Sequence, residues 1–471
     1  MLADFSIIEL AKKMRSKEIS PMDVITEIYE TIGKIDKKIN AFITLVDKEQ
    51  ALRIAQKRAK TREAARSPLF GLPYVMKDAY VTAGVRTTAA SKVLDDFVPP
   101  YSATVHRKLE DAGAILIGKM NMDAWGHGAS TENTDYGVTK NPWDITRSAG
   151  GSGGGPAAAI ASRLAIFAIG EDTGGSIRNP AAWCGITGLK VTYGRVSRYG
   201  AIAYASSLDS VGPTAKTAED CAHVLEVIGG KDPYDATSSP QPVVRYSGEL
   251  QGSIRGKKIA FPKEFFKEGL DGEIRKAIVE ARRVFESLGA VVEDVSLPML
   301  EYGVPVYYIL APSETSSNLA RYDGIRYGNE RELFTQETKR RIMTGTYALS
   351  SGYYDAYYKK AQKARSIFIE KYTDILQHFD AILAPVTPGM PPKFGELLDD
   401  PVKNMMADLY TVTVNIVGLP SLALACGFGS SGLPIGMQLI GRMFSESTLL
   451  ALGHNYQKTT PWHKKHPGVL A

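Results

Sequence analysis

The chain is 471 residues long, 44% hydrophobic and 23% charged, with 56 Lys plus Arg against 51 Asp plus Glu and a net charge of +5. An excess that small over so long a chain argues against an electrostatic nucleic-acid surface, and basic runs such as Lys257-Lys258 and Lys339-Arg340-Arg341 read as solvated faces. Three separated cysteines, Cys184, Cys221 and Cys426, with no Cys-x-x-Cys pair, argue against a disulfide framework or a zinc site and fit a reducing cytoplasm.

The N-terminus reads as helices. Ser6-Ile7-Ile8-Glu9 is a capping-box pattern, followed by an apolar face of Ile7, Ile8, Ala11 and Met14. Ser20-Pro21 starts a second helix, with Ser20 as N-cap and Pro21 in the first turn. No basic segment followed by an apolar stretch opens the chain, so no signal peptide is expected. Over residues 71–210 glycine, serine and threonine become dense, and strand-like runs such as residues 114–117 alternate with helical ones, the pattern of an α/β core. The longest apolar segment, residues 157–170, is interrupted by Arg163 and is too short to span a bilayer. It reads as a buried helix. Residues 232–241 form a Pro/Ser/Thr-rich loop. A strand over 257–261 follows. A helix then shows Ile274, Ala277, Ile278, Ala281, Phe285 and Leu288 on one face and ends at Gly289, and a strand over 291–295 completes a βαβ-like unit.

Three motifs fail on inspection. Gly113-Ala114-Ile115-Leu116-Ile117-Gly118-Lys119 resembles a P-loop, but Met120 stands where a magnesium-binding Ser or Thr is required. The run Gly150-Gly151-Ser152-Gly153-Gly154 matches a nucleophile elbow, which needs a preceding strand. Residues 143–149 read instead as a turn-rich loop, and the later histidines (His223, His378, His454, His463, His466) sit in helical or terminal contexts. No Ser-x-x-Lys tetrapeptide occurs, which closes the penicillin-binding type of serine-lysine catalysis.

What remains is a constellation. Two glycine-serine segments, one around Ser152 and one from Asp172 through Ser176 to Arg178, each abut strongly apolar sequence. Glycines beside a core let backbone approach something closely, and successive N–H groups form an anion-binding concavity. Lys77 ends an apolar run, and desolvation would make a buried lysine at that place a usable base.

These residues, GGSGGGPAAAIA from Gly150 and DTGGSIRNPAAWCGITGLK from Asp172, resemble the amidase signature family. Stretches beginning at Tyr193, Tyr204, Asn318, Arg340 and Gly352 (the last reading GYYDAYY) are similar, within that family, to the A-type subunits of tRNA-dependent amidotransferases. The resemblance implies an α/β fold in a single amidase-signature domain, a mixed central β-sheet covered by helices on both faces. That domain would have a helical segment over about 1–65, a catalytic core over about 66–215 and the rest of the sheet and helices over about 216–471.

It also implies roles. Ser176 would be the nucleophile, Ser152 the bridging serine across a cis Gly151–Ser152 peptide, and Lys77 the base. Backbone N–H groups around Thr173, Gly174, Gly175 and Ser176 would form the oxyanion hole. Arg341 and Asp408 would hold the carboxylate and ammonium of glutamine, Arg340 being the neighbouring alternative to Arg341, while Asp172 and Arg178 would brace the nucleophile loop. The implied function is a cytoplasmic glutaminase subunit that supplies ammonia for amidating Glu-tRNA(Gln) or Asp-tRNA(Asn). Its partners would be a small C-type subunit together with a B-type kinase/transamidase subunit. ATP and magnesium would sit on the partner, this chain would carry no cofactor or metal, and it would meet tRNA only through the complex. A stand-alone amidase acting on other amides is the alternative. Trp125-Gly126-His127-Gly128-Ala129-Ser130 departs from the family's Phe-x-Met-Gly-Ser-Ser and puts the choice of glutamine in doubt.

Overall fold

The computed structural model describes residues 1–60, 67–325 and 328–470. The expected boundary near residues 65 and 66 therefore lies outside the described residues, as do positions 326 and 327 of the stretch beginning at Asn318.

The strands in chain order are β1 (Phe42–Leu45), β2 (Pro73–Lys77), β3 (Ile115–Met120), β4 (Lys140–Asn141), β5 (Asp144–Ser148), β6 (Phe167–Asp172), β7 (Thr187–Lys190), β8 (Ser210–Ala215), β9 (Lys258–Pro262), β10 (Val291–Val295), β11 (Ala381–Pro385), β12 (Ser421–Phe428) and β13 (Pro434–Ile440). Among the described residues, β4 and β5 pair as a hairpin and the other strands form one 11-stranded sheet in the order β1-β3-β2-β6-β8-β7-β12-β13-β11-β9-β10. The sheet is mixed. β2 pairs parallel with both β3 and β6, β9 pairs parallel with both β10 and β11, and the strands between the two groups run antiparallel to their neighbours. Every residue of β2, β3, β6, β8, β11 and β13 is buried, so both faces of the sheet are covered there.

The expected Ser6–Glu9 capping box forms, and the expected Ser20 N-cap is present and closes a second box with Asp23. The first helix buries Ile7, Leu10 and Ala11, so Leu10 takes the core position that periodicity assigned to Ile8 and Met14. The βαβ unit is present. Asp271 caps the Gly272–Ser287 helix, which buries Ile274, Ile278, Ala281 and Phe285 between parallel β9 and β10, and Gly289 follows with φ +87°.

Two local expectations are corrected. Residues 157–170 are a helix, Gly154–Ala161, and then β6, with Arg163 at φ +60° turning the chain between them. An apolar run buried on all sides has the same composition in either state, so periodicity does not separate them. Residues 143–149 contain β5. The Asn141 side-chain amide donates to the Ser148 carbonyl at 3.0 Å, and Asp144 accepts from the amide and hydroxyl of Thr146 at the start of β5. Polar side chains closed this hairpin, which hydrophobic alternation could not reveal.

The P-loop look-alike is β3. Lys119 is fully buried there, with Nζ donating to the Tyr80 carbonyl at 2.5 Å and the Thr87 hydroxyl at 2.8 Å and lying 3.2 Å from Asp78. All three cysteines are buried free thiols. Among the described residues no helix is long and apolar enough to cross a membrane, and no group of three or more His, Cys, Asp or Glu side chains is placed to hold a metal.

Candidate active site

Adjacent parallel strands end on the same edge of a sheet, and their C-terminal ends open a crevice there. β2 and β6 are such a pair. Lys77 is the last residue of β2, and β6 ends at Asp172, from which the chain loops through Ser176 into the Arg178–Cys184 helix. Ser152 lies in the turn before the Gly154–Ala161 helix, after a cis Gly151–Ser152 peptide. Lys77 Nζ donates to Ser152 Oγ at 2.8 Å. Both side chains are buried completely, whereas Ser176 keeps 8% exposure and is the member of the set that a substrate can reach. The two serine loops pack tightly: a Cβ on Gly153 would lie 2.6 Å from the Ser176 carbonyl oxygen, so only glycine allows that approach.

Asp172 and Arg178 organise the Ser176 loop. Arg178 Nε and Nη2 donate to the two Asp172 oxygens at 3.0 and 2.9 Å, and the guanidinium also reaches Gln438, Asn415 and the Thr411 carbonyl. Burial alone would raise the Asp172 carboxyl, but Arg178 outweighs it and holds the group down to about 2. Asp172 also accepts from the Gly175 amide at 3.0 Å and the Ile177 amide at 3.2 Å. Gly175 can sit there at φ +135°, a region closed to L side chains. The Gly175 amide is thus engaged. Among the described residues the amides of Thr173, Gly174 and Ser176 have no backbone or side-chain acceptor, so of the four expected oxyanion-hole residues these three have an N–H open to an acceptor.

The expected substrate residues converge on two tyrosines. Arg341 is 4% exposed, donates through Nε to Glu337 at 2.7 Å, bonds the Tyr204 hydroxyl, and lies 5.1 Å from the Tyr308 ring centroid. Asp408 accepts from the Tyr308 hydroxyl at 3.0 Å, and burial pushes its carboxyl up to about 7. Both are tied to the Ser176 loop. Tyr204 meets Tyr307, which covers Gly174, and Thr411, one turn after Asp408, donates to the Gly174 carbonyl at 2.5 Å. Arg340, by contrast, is paired with Glu337 with its side chain 34% exposed. Tyr204, Tyr307 and Tyr308 escaped sequence reasoning, because a tyrosine on a helix or in a turn carries no spacing signal.

His127 is wholly buried. Its ring nitrogens lie 3.2 Å from the Thr338 and 3.3 Å from the Thr315 hydroxyls, and the ring meets Tyr204 edge-on. Burial and then Arg341 hold it well below the usual imidazole range, so it is a neutral strut beneath the Tyr204–Arg341 contact.

Two acids beside the set were also missed. Glu171 Oε2 lies 3.2 Å from Lys77 Nζ. Asp209 accepts from the Thr173 hydroxyl at 2.7 Å and from the amides of Tyr204 and Ala205, and burial followed by the Glu171 charge pushes it up to about 8.

The amidase family model matches residues 23–450. The chain belongs to the amidase family. It is 48% identical over 483 residues to the A-type subunit of glutamyl-tRNA(Gln) amidotransferase from Listeria innocua, covering 99% of this chain and 100% of that one. Among solved structures it resembles the A-type subunit of glutamyl-tRNA(Gln) amidotransferase from Thermotoga maritima, with a TM-score of 0.85 and 36% identity over 98% of this chain and 96% of that one. It also resembles the peptide amidase of Stenotrophomonas maltophilia, with a TM-score of 0.81 and 29% identity over 97% and 96% of the two chains. The single-domain α/β fold with a large mixed sheet is therefore that of the amidase family.

Proposed function

We propose that the chain is the glutaminase subunit of a cytoplasmic tRNA-dependent amidotransferase, and that it hydrolyses glutamine through Ser176, Ser152 and Lys77. The observation that carries the chemistry is the Lys77–Ser152 hydrogen bond set beside the Ser176 loop at the ends of β2 and β6. The near full-length similarity to A-type subunits supports the assignment to an amidotransferase.

In this reading Ser176 Oγ attacks the side-chain amide carbon of glutamine. Its proton passes to Ser152 as the Ser152 proton passes to Lys77. The oxyanion forms against the free amides of Thr173, Gly174 and Ser176. The proton returns through Ser152 to the leaving nitrogen, ammonia departs, and water resolves the glutamyl ester by the same route. A B-type subunit, braced by a small C-type subunit, would use ATP, magnesium and this ammonia on Glu-tRNA(Gln) or Asp-tRNA(Asn).

Arg341 and Asp408 would take the two charges of the free amino acid. Arg341→Met is expected to raise KM for glutamine by about 10- to 100-fold, the value of a lost charge-assisted hydrogen bond. Asp408 is raised to about 7, so it is neutral below that pH and cannot pair with an ammonium group. KM for glutamine should therefore fall as pH rises through about 7, and Asp408→Asn should abolish that dependence. Flat KM in the unsubstituted chain would remove Asp408 from the substrate site.

The function itself is tested by assaying the chain alone and co-expressed with B- and C-type subunits. Glutamine-dependent amidation of Glu-tRNA(Gln) or Asp-tRNA(Asn) is expected only with the partners. Vigorous hydrolysis of varied amides by the chain alone, with no amidation when partners are present, would favour a stand-alone amidase.

A further inference from the structure

We propose that Glu171 is a positioning residue for the base: its carboxylate steadies Lys77 Nζ against Ser152 and sets the pH range over which that nitrogen takes the Ser152 proton. The inference rests on the Lys77–Ser152–Ser176 reading. Glu171 is the penultimate residue of β6 and Lys77 the last of β2, and these strands are parallel neighbours. Lys77 Nζ has Ser152 Oγ at 2.8 Å and Glu171 Oε2 at 3.2 Å, so the nitrogen is held between one hydroxyl and one carboxylate. The Lys77 and Glu171 side chains are 1% and 2% exposed. Water does not screen charges at that depth, so the carboxylate acts on the nitrogen far more strongly than it would at a surface.

Two further observations set Glu171 apart from a bracing acid. Its Oε1 has no hydrogen-bond partner among the described residues, whereas neighbouring Asp172 spends both oxygens on Arg178 and the loop amides. It also faces a second acid. Asp209, in the turn before β8, has its carboxyl raised by burial and then by the Glu171 charge. Tyr80 faces the pair from beyond β2 with its hydroxyl donating to the Gly170 carbonyl at 2.7 Å, Arg198 acts on Asp209, and Asp123 acts on Lys77 from the loop after β3. Glu171 is thus the carboxylate that touches the base, and the Asp209–Thr173 bond links this pair to the nucleophile loop.

A negative charge at this distance makes a nitrogen base keep its proton to higher pH. The test follows the rate of Ser176 sulfonylation by phenylmethylsulfonyl fluoride, together with glutamine hydrolysis, across about pH 5 to 10. Glu171→Gln is expected to move the acid limb of both profiles down by roughly one to three pH units with KM for glutamine unchanged. Glu171→Asp, which keeps the charge, is expected to leave the limb within about half a unit while lowering kcat. Should Glu171→Gln not fold, Glu171→Ser reads the same limb with a smaller neutral side chain. Superimposable profiles in a folded neutral variant overturn the inference. They leave the Ser176 assignment standing, which falls separately if Ser176→Ala is still sulfonylated.

Discussion

Ser176→Ala is expected to abolish amide hydrolysis, lowering kcat by about 10⁴-fold or more while KM for glutamine stays near its original value. The side chain is the partly exposed member of the set, and its loop is held from below by contacts that do not use its hydroxyl. The Asp172–Arg178 pair, the Thr411 bond to the Gly174 carbonyl and the Gly153 approach all survive removal of Oγ. The variant should therefore fold and bind, and the three free loop amides would still polarise the substrate carbonyl. What it lacks is the atom that would form the ester. Covalent labelling by a serine-directed sulfonyl fluoride should vanish together with activity. Survival of either at more than a few hundredths of the original level would move the nucleophile elsewhere.

The second large effect falls on rate and stability together. Lys77→Met is expected to lower kcat by about 10²- to 10⁴-fold, the range for loss of a positioned base. It also strands Glu171, fully enclosed and with its other oxygen already without a hydrogen-bond partner among the described residues. Removing one member of a buried ion pair costs about 3–5 kcal/mol, so the melting temperature should fall measurably. The double variant Lys77→Met with Glu171→Gln separates the two consequences. Its stability should return most of the way, because no lone charge remains, while its rate stays low. If the rate returns as well, Lys77 is not the base. If Lys77→Met melts like the parent protein, the pair is not the buried ion pair that its 3.2 Å separation indicates.

The same pair shows where sequence reading stopped. The segment from Asp172 to Arg178 stood out because its glycines and serine are dense, and Glu171, one position earlier, did not. A glutamate at the end of a strand is ordinarily solvated. Its meaning depends on β2 and β6 being neighbours, which brings together residues 94 positions apart. The tyrosines around Arg341 are similar. Tyr204, Tyr307 and Tyr308 come from a turn and a helix, and only folding places the Arg341 helix across them. His127 shows the reverse case. The local departure was visible, but its place under Tyr204, between the Thr315 and Thr338 hydroxyls, was not.

Local physics was sufficient where neighbours in sequence supply the contacts. The Ser6–Glu9 capping box, the Ser20 N-cap, the βαβ unit around the Gly272–Ser287 helix and the rejection of a P-loop at Lys119 needed only a few consecutive residues, and the structure has each of them. The glycine-serine segments and Lys77 were legible as a candidate set for the same reason, and the motifs within them were enough to recognise the amidase family. Other features needed the tertiary structure. It divided the apolar run at Arg163 into helix and strand, and it placed Lys77 against Ser152 across 75 positions of chain. It engaged the Gly175 and Ile177 amides with Asp172 and, among the described residues, left those of Thr173, Gly174 and Ser176 without an acceptor. Burial and long-range pairing decide these, because the energy of a charge or an amide depends on what surrounds it rather than on what precedes it in the chain.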